Sequence, residues 1–190
     1  MSGSAAVASC PRCLLQQRVC LCAEIPSVAT RTRIVIVRHH LEQHRSSNTA
    51  RLAHLALPNS AIVEHGGLGG VAKLPDLTGA WLLYPLGEPM VETPIAPPAQ
   101  LVVLDASWSQ ARRMYRKLPG IRGLPVLRLA DAPMPAARLR ESPEPGHVST
   151  IEAIARALRL LEGDVAAAPL ERLFGVAVER ARAMGRLDKP

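Results

Sequence analysis

The fold class is set by the stretch LVVLDASWSQARRMYRK, residues 101–117. Its first four residues are an uninterrupted apolar run typical of a buried strand, and residues 109–118 have the pattern of a basic helix. Asp105 stands between the two elements. A carboxylate at the carboxyl end of a buried strand, just before a helix, lies where α/β folds place their ligand sites.

The rest of the chain also alternates between strand and helix patterns. Strands are predicted over residues 33–37, 61–63, 80–85, 101–104 and 125–129, and helices over 46–57, 109–118, 149–163 and 170–184. Ser46, Ser47 and Asn48 are expected to cap the first helix, and Ser149 with Glu152 forms a capping box for the third. Residues 87–99 and 131–147 are rich in proline and predicted to be irregular. This alternation predicts a mainly parallel sheet flanked by helices.

Composition favours a globular protein with a real core, since 48% of residues are apolar and 21% are charged. No apolar stretch approaches the roughly 20 residues that span a bilayer, and the first nine residues lack the features of a signal peptide. We therefore expect a cytoplasmic protein without membrane attachment. The net charge of +7 favours an anionic partner, most often nucleic acid, although a GC-rich genome would also explain the excess of arginine over lysine.

All four cysteines lie within 13 residues, as Cys10, Cys13, Cys20 and Cys22. In a cytosolic protein such a cluster indicates a metal site, and four thiolates complete a tetrahedral structural zinc site with no open position. Reduced, unliganded cysteines or a redox pair are the alternatives. We expect residues 1–9 to be a flexible tail, residues 10–26 a zinc-binding segment, and residues 27–190 the main α/β domain. Arg12 and Arg18 would project from the zinc-binding segment towards an anionic ligand.

The residues around Asp105 allow more than one interpretation. Asp105 could be a general base, a hydrogen-bond acceptor for a ligand, or a helix-capping anion. Trp108 could stack on a base or fill the core. The other side of the predicted helix carries Arg112, Arg113, Arg116 and Lys117 without compensating acids, which favours contact with nucleic acid over a merely solvated face. The histidines of the first third (His39, His40, His44, His54, His65) match no metal motif, and residues 66–70 are predicted to form a flexible glycine loop.

Several short motifs occur together in the order typical of one family. They are the cysteine segment ending at Ile25-Pro26, residues 34–42 with 48–52, residues 82–85, residues 104–108, and Leu139-Arg140 followed by residues 149–153. With these motifs the chain resembles the DTW-domain proteins, which are tRNA-uridine aminocarboxypropyltransferases. Two positions depart from the family pattern: Ser107 replaces a threonine and His40 replaces the usual proline.

The resemblance implies a SPOUT-like α/β fold, with or without a knot in its carboxyl-terminal part. It also implies S-adenosylmethionine as the donor and transfer of its 3-amino-3-carboxypropyl group to N3 of a uridine in tRNA, which leaves 5′-methylthioadenosine. Asp105 would take the uridine proton or hold the donor's ammonium group, Ser107 would orient Asp105 or bond the donor, and Trp108 would stack on the uridine or wall the pocket.

The resemblance further implies two sets of binding residues. The donor would be bound by Leu83, Tyr84, Pro85, Leu104, Ser149, Thr150 and Glu152. The tRNA would be bound by Arg12, Arg18, Arg112, Arg113 and Arg116. The alternatives are a SPOUT-type RNA methyltransferase, an rRNA aminocarboxypropyltransferase, and a non-enzymatic zinc RNA-binding module. We expect a monomer, because the sequence shows no obvious dimer face.

Overall fold

The computed structural model describes residues 8–43, 45, 49–131 and 148–184. Several predictions fall elsewhere in the chain. The first seven residues of the expected tail, His44, the helix cap at 46–48, most of the loop at 131–147 and the motif residues Leu139 and Arg140 lie outside the described residues.

The described residues form a six-stranded, wholly parallel sheet in the order β2-β1-β5-β3-β6-β4. The strands are β1 (Arg33–His39), β2 (Ser60–His65), β3 (Ala80–Leu83), β4 (Pro89–Met90), β5 (Gln100–Asp105) and β6 (Val126–Leu129). The predicted parallel α/β architecture is confirmed. The prediction that residues 87–99 are wholly irregular is wrong, because the two-residue β4 lies there and pairs with β6.

Four α-helices lie within the described ranges: α1 (Thr49–Ala56), α2 (Trp108–Lys117), α3 (Thr150–Glu162) and α4 (Asp164–Ala183). Short 3-10 helices cover Gln17–Val19, His40–Glu42 and Gly67–Gly69. The predicted start of the last helix at residue 170 is wrong, since α4 begins six residues earlier and contains Pro169. Proline at 169 cannot donate to the carbonyl of Val165, and the helix tolerates this loss where Val165 is 88% exposed.

The two faces of the sheet pack against different elements. Because side chains alternate along a strand, Ile34 and Ile36 of β1 face one side while Val35 and Val37 face the other. The first side is covered by α1, α3 and α4 and by the cysteine segment. The second side is covered by α2 and by the connection that follows it. Burial on both faces explains why these strands are continuous apolar runs.

All strands point the same way, so their carboxyl ends meet at one edge of the sheet. His39, His65, Leu83, Asp105 and Leu129 end β1, β2, β3, β5 and β6 respectively. This edge is therefore the place to look for a ligand site. A knot stays a prediction, because residues 132–147, which join β6 to α3, lie outside the described residues. Among the helices of the described residues, none is both long and apolar enough to span a membrane.

Candidate active site

Asp105 is the last residue of β5 and is only 7% exposed. Its Oδ1 accepts a hydrogen bond of 2.8 Å from the hydroxyl of Thr150, the first residue of α3. Arg38 of β1 is its register neighbour in the sheet, and the Arg38 Nε donates to Glu64 on β2 at 2.9 Å. Asp105 is thus held at the carboxyl edge of the sheet by a donor that lies 45 residues away in the sequence.

A cleft opens at the carboxyl ends of β3, β5 and β6, between α2 and α3, and it is lined by the neighbours of Asp105 (Leu104, Ala106 and its bonded partner Thr150) rather than by Asp105 itself. Its empty volume is about 940 Å³, which includes space open to solvent. Five of the seven predicted donor-binding residues line this cleft, as does Trp108: the five are Leu83, Tyr84, Pro85, Leu104 and Thr150. Residues from separate sequence motifs, which were predicted to form one donor site, therefore lie together in one concave site.

The other two predicted donor-binding residues, Ser149 and Glu152, do not line the cleft. They form the capping box of α3: the Ser149 N–H donates to Glu152 Oε2 at 2.8 Å, and the Glu152 N–H donates to Ser149 Oγ at 3.4 Å. In the same way Ser107 is the N-cap of α2, and its N–H donates to Gln110 Oε1 at 2.8 Å. These side chains fix the starts of the two helices that border the cleft.

Three charged residues that line the cleft belong to none of the sequence motifs and were not predicted as site residues: Arg128, Asp131 and Arg156. Arg128 Nη1 donates to the carbonyl of Gly87 at 2.7 Å, and its Nη2 lies 3.9 Å from Asp131 Oδ2. Arg156 of α3 donates to the carbonyl of Ala130. Asp131 follows β6 much as Asp105 ends β5, and that position was the signal that could have identified it.

Aromatic side chains form part of the cleft wall. Trp108 and Tyr84 line the cleft, and the Tyr84 ring stacks on Tyr115 with the ring centroids 4.6 Å apart and an angle of 14° between the planes. Burial raises the pKa of Tyr84 above its ordinary value. Tyr84 is therefore a neutral, fixed wall of the cleft at physiological pH.

The predicted RNA-binding arginines lie in two separate places. Arg112, Arg113 and Arg116 are exposed on α2, which covers one face of the sheet. Arg12 and Arg18 are also exposed, but their segment packs against the opposite face. The first group lies on a helix that contributes Trp108 and Ala111 to the cleft, and the two groups lie on opposite sides of the sheet.

The four cysteine sulfur atoms converge, with all of them within 4.8 Å of one another. Cys10 Sγ lies 3.6 Å from Cys22 Sγ, and Cys13 Sγ lies 3.8 Å from Cys20 Sγ. A tetrahedral zinc site with Zn–S bonds of about 2.3 Å requires S···S separations of about 3.8 Å. The cluster therefore has the ligands and the spacing to hold a metal ion.

The pKa values of two of these thiols are shifted in opposite directions. Backbone N–H groups of Cys13 and Arg12 lower the pKa of Cys10 to about 6, so this thiol ionises readily. Burial and the neighbouring Cys10 raise the pKa of Cys22 to about 12. A second negative charge beside the first is disfavoured unless a metal ion lies between them.

The cysteine segment is fixed to the main domain by two arginines. Arg180 of α4 donates to the carbonyl of Cys20 and, at 2.7 Å, to Glu24 Oε1. Arg51 of α1 donates to the carbonyl of Arg12 at 3.1 Å. The cluster is therefore part of the folded body rather than an independent module.

A wholly parallel sheet with a cleft at its carboxyl edge, lined by apolar, aromatic and a few charged side chains, and with a cysteine cluster packed on one face, defines an α/β protein with a candidate ligand-binding site at that edge. The DTW domain model matches residues 7–182, and the chain belongs to this family.

Curated relatives carry a consistent name. The chain is similar to tRNA-uridine aminocarboxypropyltransferase 2 of Drosophila melanogaster, with 30% identity over 166 residues that cover 80% of this chain and 66% of the relative. The protein of the same name from Macaca fascicularis is 28% identical over 168 residues, covering 80% and 56%. The Arabidopsis thaliana tRNA-uridine aminocarboxypropyltransferase A is 27% identical over 221 residues, covering 95% and 82%. The chain thus spans between about half and two thirds of the length of the first two, which are named as enzymes.

Among solved structures, the chain is similar to the SAM-dependent rRNA:acp-transferase Tsr3 from Vulcanisaeta distributa. The two share 24% sequence identity with a TM-score of 0.48, and the match covers 83% of this chain and 80% of that one.

Proposed function

We propose that the protein transfers the 3-amino-3-carboxypropyl group of S-adenosylmethionine to N3 of a uridine in tRNA. The observation that carries this proposal is the hydrogen bond between Asp105 and Thr150 at the cleft. It joins two motifs of the DTW family, at residues 104–108 and 149–153, at one site. The names of the curated relatives support the same reaction.

The chemistry of the cleft suits the donor. Adenosine needs apolar and aromatic walls, which Leu83, Tyr84 and Leu129 provide. The amino acid end of the donor carries one negative and one positive charge, and the cleft offers Arg156 and Asp131. When bound, S-adenosylmethionine supplies a carbon–sulfur bond that breaks as uridine N3 attacks, giving 3-(3-amino-3-carboxypropyl)uridine and 5′-methylthioadenosine.

Asp105 has two candidate roles in this reaction. The N3–H of uridine is a weak acid and must lose its proton, which the Asp105 carboxylate would accept as general base. Alternatively the carboxylate would hold the ammonium group of the donor. In both roles the Thr150 hydroxyl positions the carboxylate through Oδ1. Trp108 would wall the site next to the entering base, and Ser107 would act indirectly through the start of α2.

The tRNA would approach along α2. The exposed arginines 112, 113 and 116 of α2 would contact phosphates, and Arg12 and Arg18 would reach a more distant part of the RNA. Uridine N3 lies on the pairing edge, so the target base must be unpaired or turned out. We further propose that the protein is a cytoplasmic monomer and that its four cysteines hold a structural Zn²⁺ ion.

The test is nucleoside mass spectrometry after incubation of the purified protein with S-adenosylmethionine and an unmodified tRNA transcript. The expected result is a uridine that has gained the aminocarboxypropyl mass. Asp105→Asn, which keeps an oxygen for Thr150 to bond, should bind tRNA but lose transfer. A gain of a methyl mass, modification of rRNA with inert tRNA, or RNA binding without any modification would each contradict the proposal in favour of a named alternative.

A further inference from the structure

Three histidines gather on the edge of the sheet that holds Asp105, but at the ends of β1 and β2, away from the cleft. His39 and His65 are register partners on these neighbouring strands, and His40 follows directly after β1. The ring centroids of His39 and His40 are 4.6 Å apart, and those of His39 and His65 are 6.2 Å apart. Together with the glycine loop of residues 66–70, we call this cluster the histidine surface.

The rings of His39 and His65 are held in a neutral form whose Nε2–H group is a hydrogen-bond donor. The Leu41 N–H donates to His39 Nδ1 at 3.3 Å, and the Ala72 N–H donates to His65 Nδ1 at 3.2 Å. A ring nitrogen that accepts carries no proton, so each neutral ring bears its hydrogen on Nε2. Burial, followed by the charge of His40, lowers the pKa of both His39 and His65. Among the described residues the cysteines are the group of three or more potential ligands that lie close enough together to share a metal ion, and these histidines do not form such a group.

The glycine loop packs directly on His40. Gly66 and Gly67 have φ values of 89° and 63°, and a Cβ on Gly66 would lie only 2.8 Å from His40 Cδ2. The next residue, Leu68, is fully exposed, and Leu41, whose N–H bonds His39, is 55% exposed. Neutral rings are thus bordered by exposed apolar side chains, which is the chemistry of a stacking platform rather than of a phosphate site.

The remaining aromatic rings are engaged elsewhere. Trp108 and Tyr84 line the cleft, Tyr115 stacks on Tyr84, and Trp81 and Phe174 pack against the core. Outside the cleft, the partly exposed rings of His39, His40 and His65 form a cluster at the described surface. His39 follows Val35 and Val37 on the side of β1 that α2 covers, and Arg113 of α2 is among the charges that lower the pKa of His39. The histidine surface therefore lies on the same side of the sheet as the basic face of α2.

We propose that the histidine surface binds an unpaired base of the RNA substrate, next to the phosphate contacts of α2. Bases splayed out of RNA stack on aromatic side chains, histidine included, and accept hydrogen bonds at their edges. The positive charge of the adjoining helix favours RNA over an uncharged partner. The inference rests on the proposed function only for the identity of the RNA as tRNA. Stacking of a base on the histidine surface does not depend on the transfer step.

The first test uses a matched pair of substitutions, Leu68→Asp and Val165→Asp. Both side chains are almost wholly exposed, at 110% and 88%, so both variants should fold, and both lower the net charge by the same amount. Affinity for an unmodified tRNA transcript is measured by fluorescence anisotropy. Leu68→Asp places a carboxylate beside the rings and should weaken binding at least about five-fold if it prevents one base from stacking on them. Val165→Asp, at the start of α4, should stay within about two-fold of the wild type. Equal affinities of the two variants would overturn the proposal.

The second test separates the ring of His65 from its hydrogen bond. His65→Phe and His65→Ala both lose the bond from Ala72, but only His65→Phe keeps a stacking ring. We expect His65→Phe to bind the tRNA at least about five-fold more tightly than His65→Ala. Equal binding by the two would mean that the ring is not used, which overturns the proposal.

Transfer is scored separately, so the two proposals can fail independently. If Leu68→Asp weakens tRNA binding but the wild-type protein forms no modified uridine, the transferase function is refuted and the histidine surface is retained. A Leu68→Asp variant that modifies tRNA with unchanged KM and unchanged affinity would refute the histidine surface alone.

Discussion

Removal of the Thr150 hydroxyl is the perturbation that isolates the contact at the centre of the site. Thr150→Val keeps the branched shape of the side chain and takes away the donor that bonds Asp105 Oδ1 at 2.8 Å. The cap of α3 is formed by Ser149 and Glu152 and is left in place. The change therefore acts on the carboxylate and not on the start of the helix.

The size of the effect follows from the charge and burial of Asp105. A hydrogen bond to a charged group contributes about 1.5–3 kcal/mol, and Asp105 is only 7% exposed, so little water can replace the lost donor. If that contact positions the carboxylate in the transition state, kcat/KM should fall roughly 10- to 100-fold, at about 1.4 kcal/mol for each factor of ten.

The assay is formation of modified uridine under kcat/KM conditions, with tRNA affinity and Tm measured on the same preparations. Thr150→Ser keeps the hydroxyl and is the matched control, expected within about three-fold of the wild type because the donor is retained. Thr150→Val should bind tRNA normally. The reasoning is refuted if Thr150→Val and Thr150→Ser transfer at the same rate.

Three further predictions concern stability, metal and RNA. Glu162→Ala should lower the free energy of unfolding by about 2 kcal/mol or more in chemical denaturation, because its side chain, only 8% exposed, accepts from the N–H groups of Arg31 and Thr32; an unchanged midpoint would contradict this. Purified protein should contain about one zinc per chain by elemental analysis, and chelation or Cys22→Ser should lower Tm; a folded, metal-free protein would refute the zinc site. Arg113→Ala should make the slope of log K for tRNA binding against log salt concentration shallower by about one unit, whereas Arg172→Ala on α4 should leave this slope unchanged. Equal slopes for the two variants would show that Arg113 of α2 does not contact the RNA.

The sequence predicted the elements whose signals are local. The strand at residues 101–104 and its neighbours were found because strands buried on both faces are short, β-branched apolar runs. The predicted start of the last helix fell directly after Pro169, but proline is tolerated near a helix start where the freed carbonyl can meet water. β4 was missed because two residues, one of them proline, give no periodicity.

The candidate site could be predicted only in part. Tyr84 and Leu104 were named because of the resemblance to the DTW family, and both lie at the edge that the carboxyl ends of the parallel strands share. Arg156 was missed because its place at the cleft depends on how α3 packs against the sheet, which no local pattern specifies. The spacing of the cysteines predicted their cluster, but the S···S distances that fit a tetrahedral ion come only from the fold.

The most direct test of the transferase function identifies the adenosine product released from S-adenosylmethionine by the wild-type protein with and without unmodified tRNA. Transfer of the aminocarboxypropyl group predicts 5′-methylthioadenosine, formed only when tRNA is present, in an amount equal to the modified uridine, and absent with Asp105→Asn. Release of S-adenosylhomocysteine, or no tRNA-dependent product at all, would contradict the account.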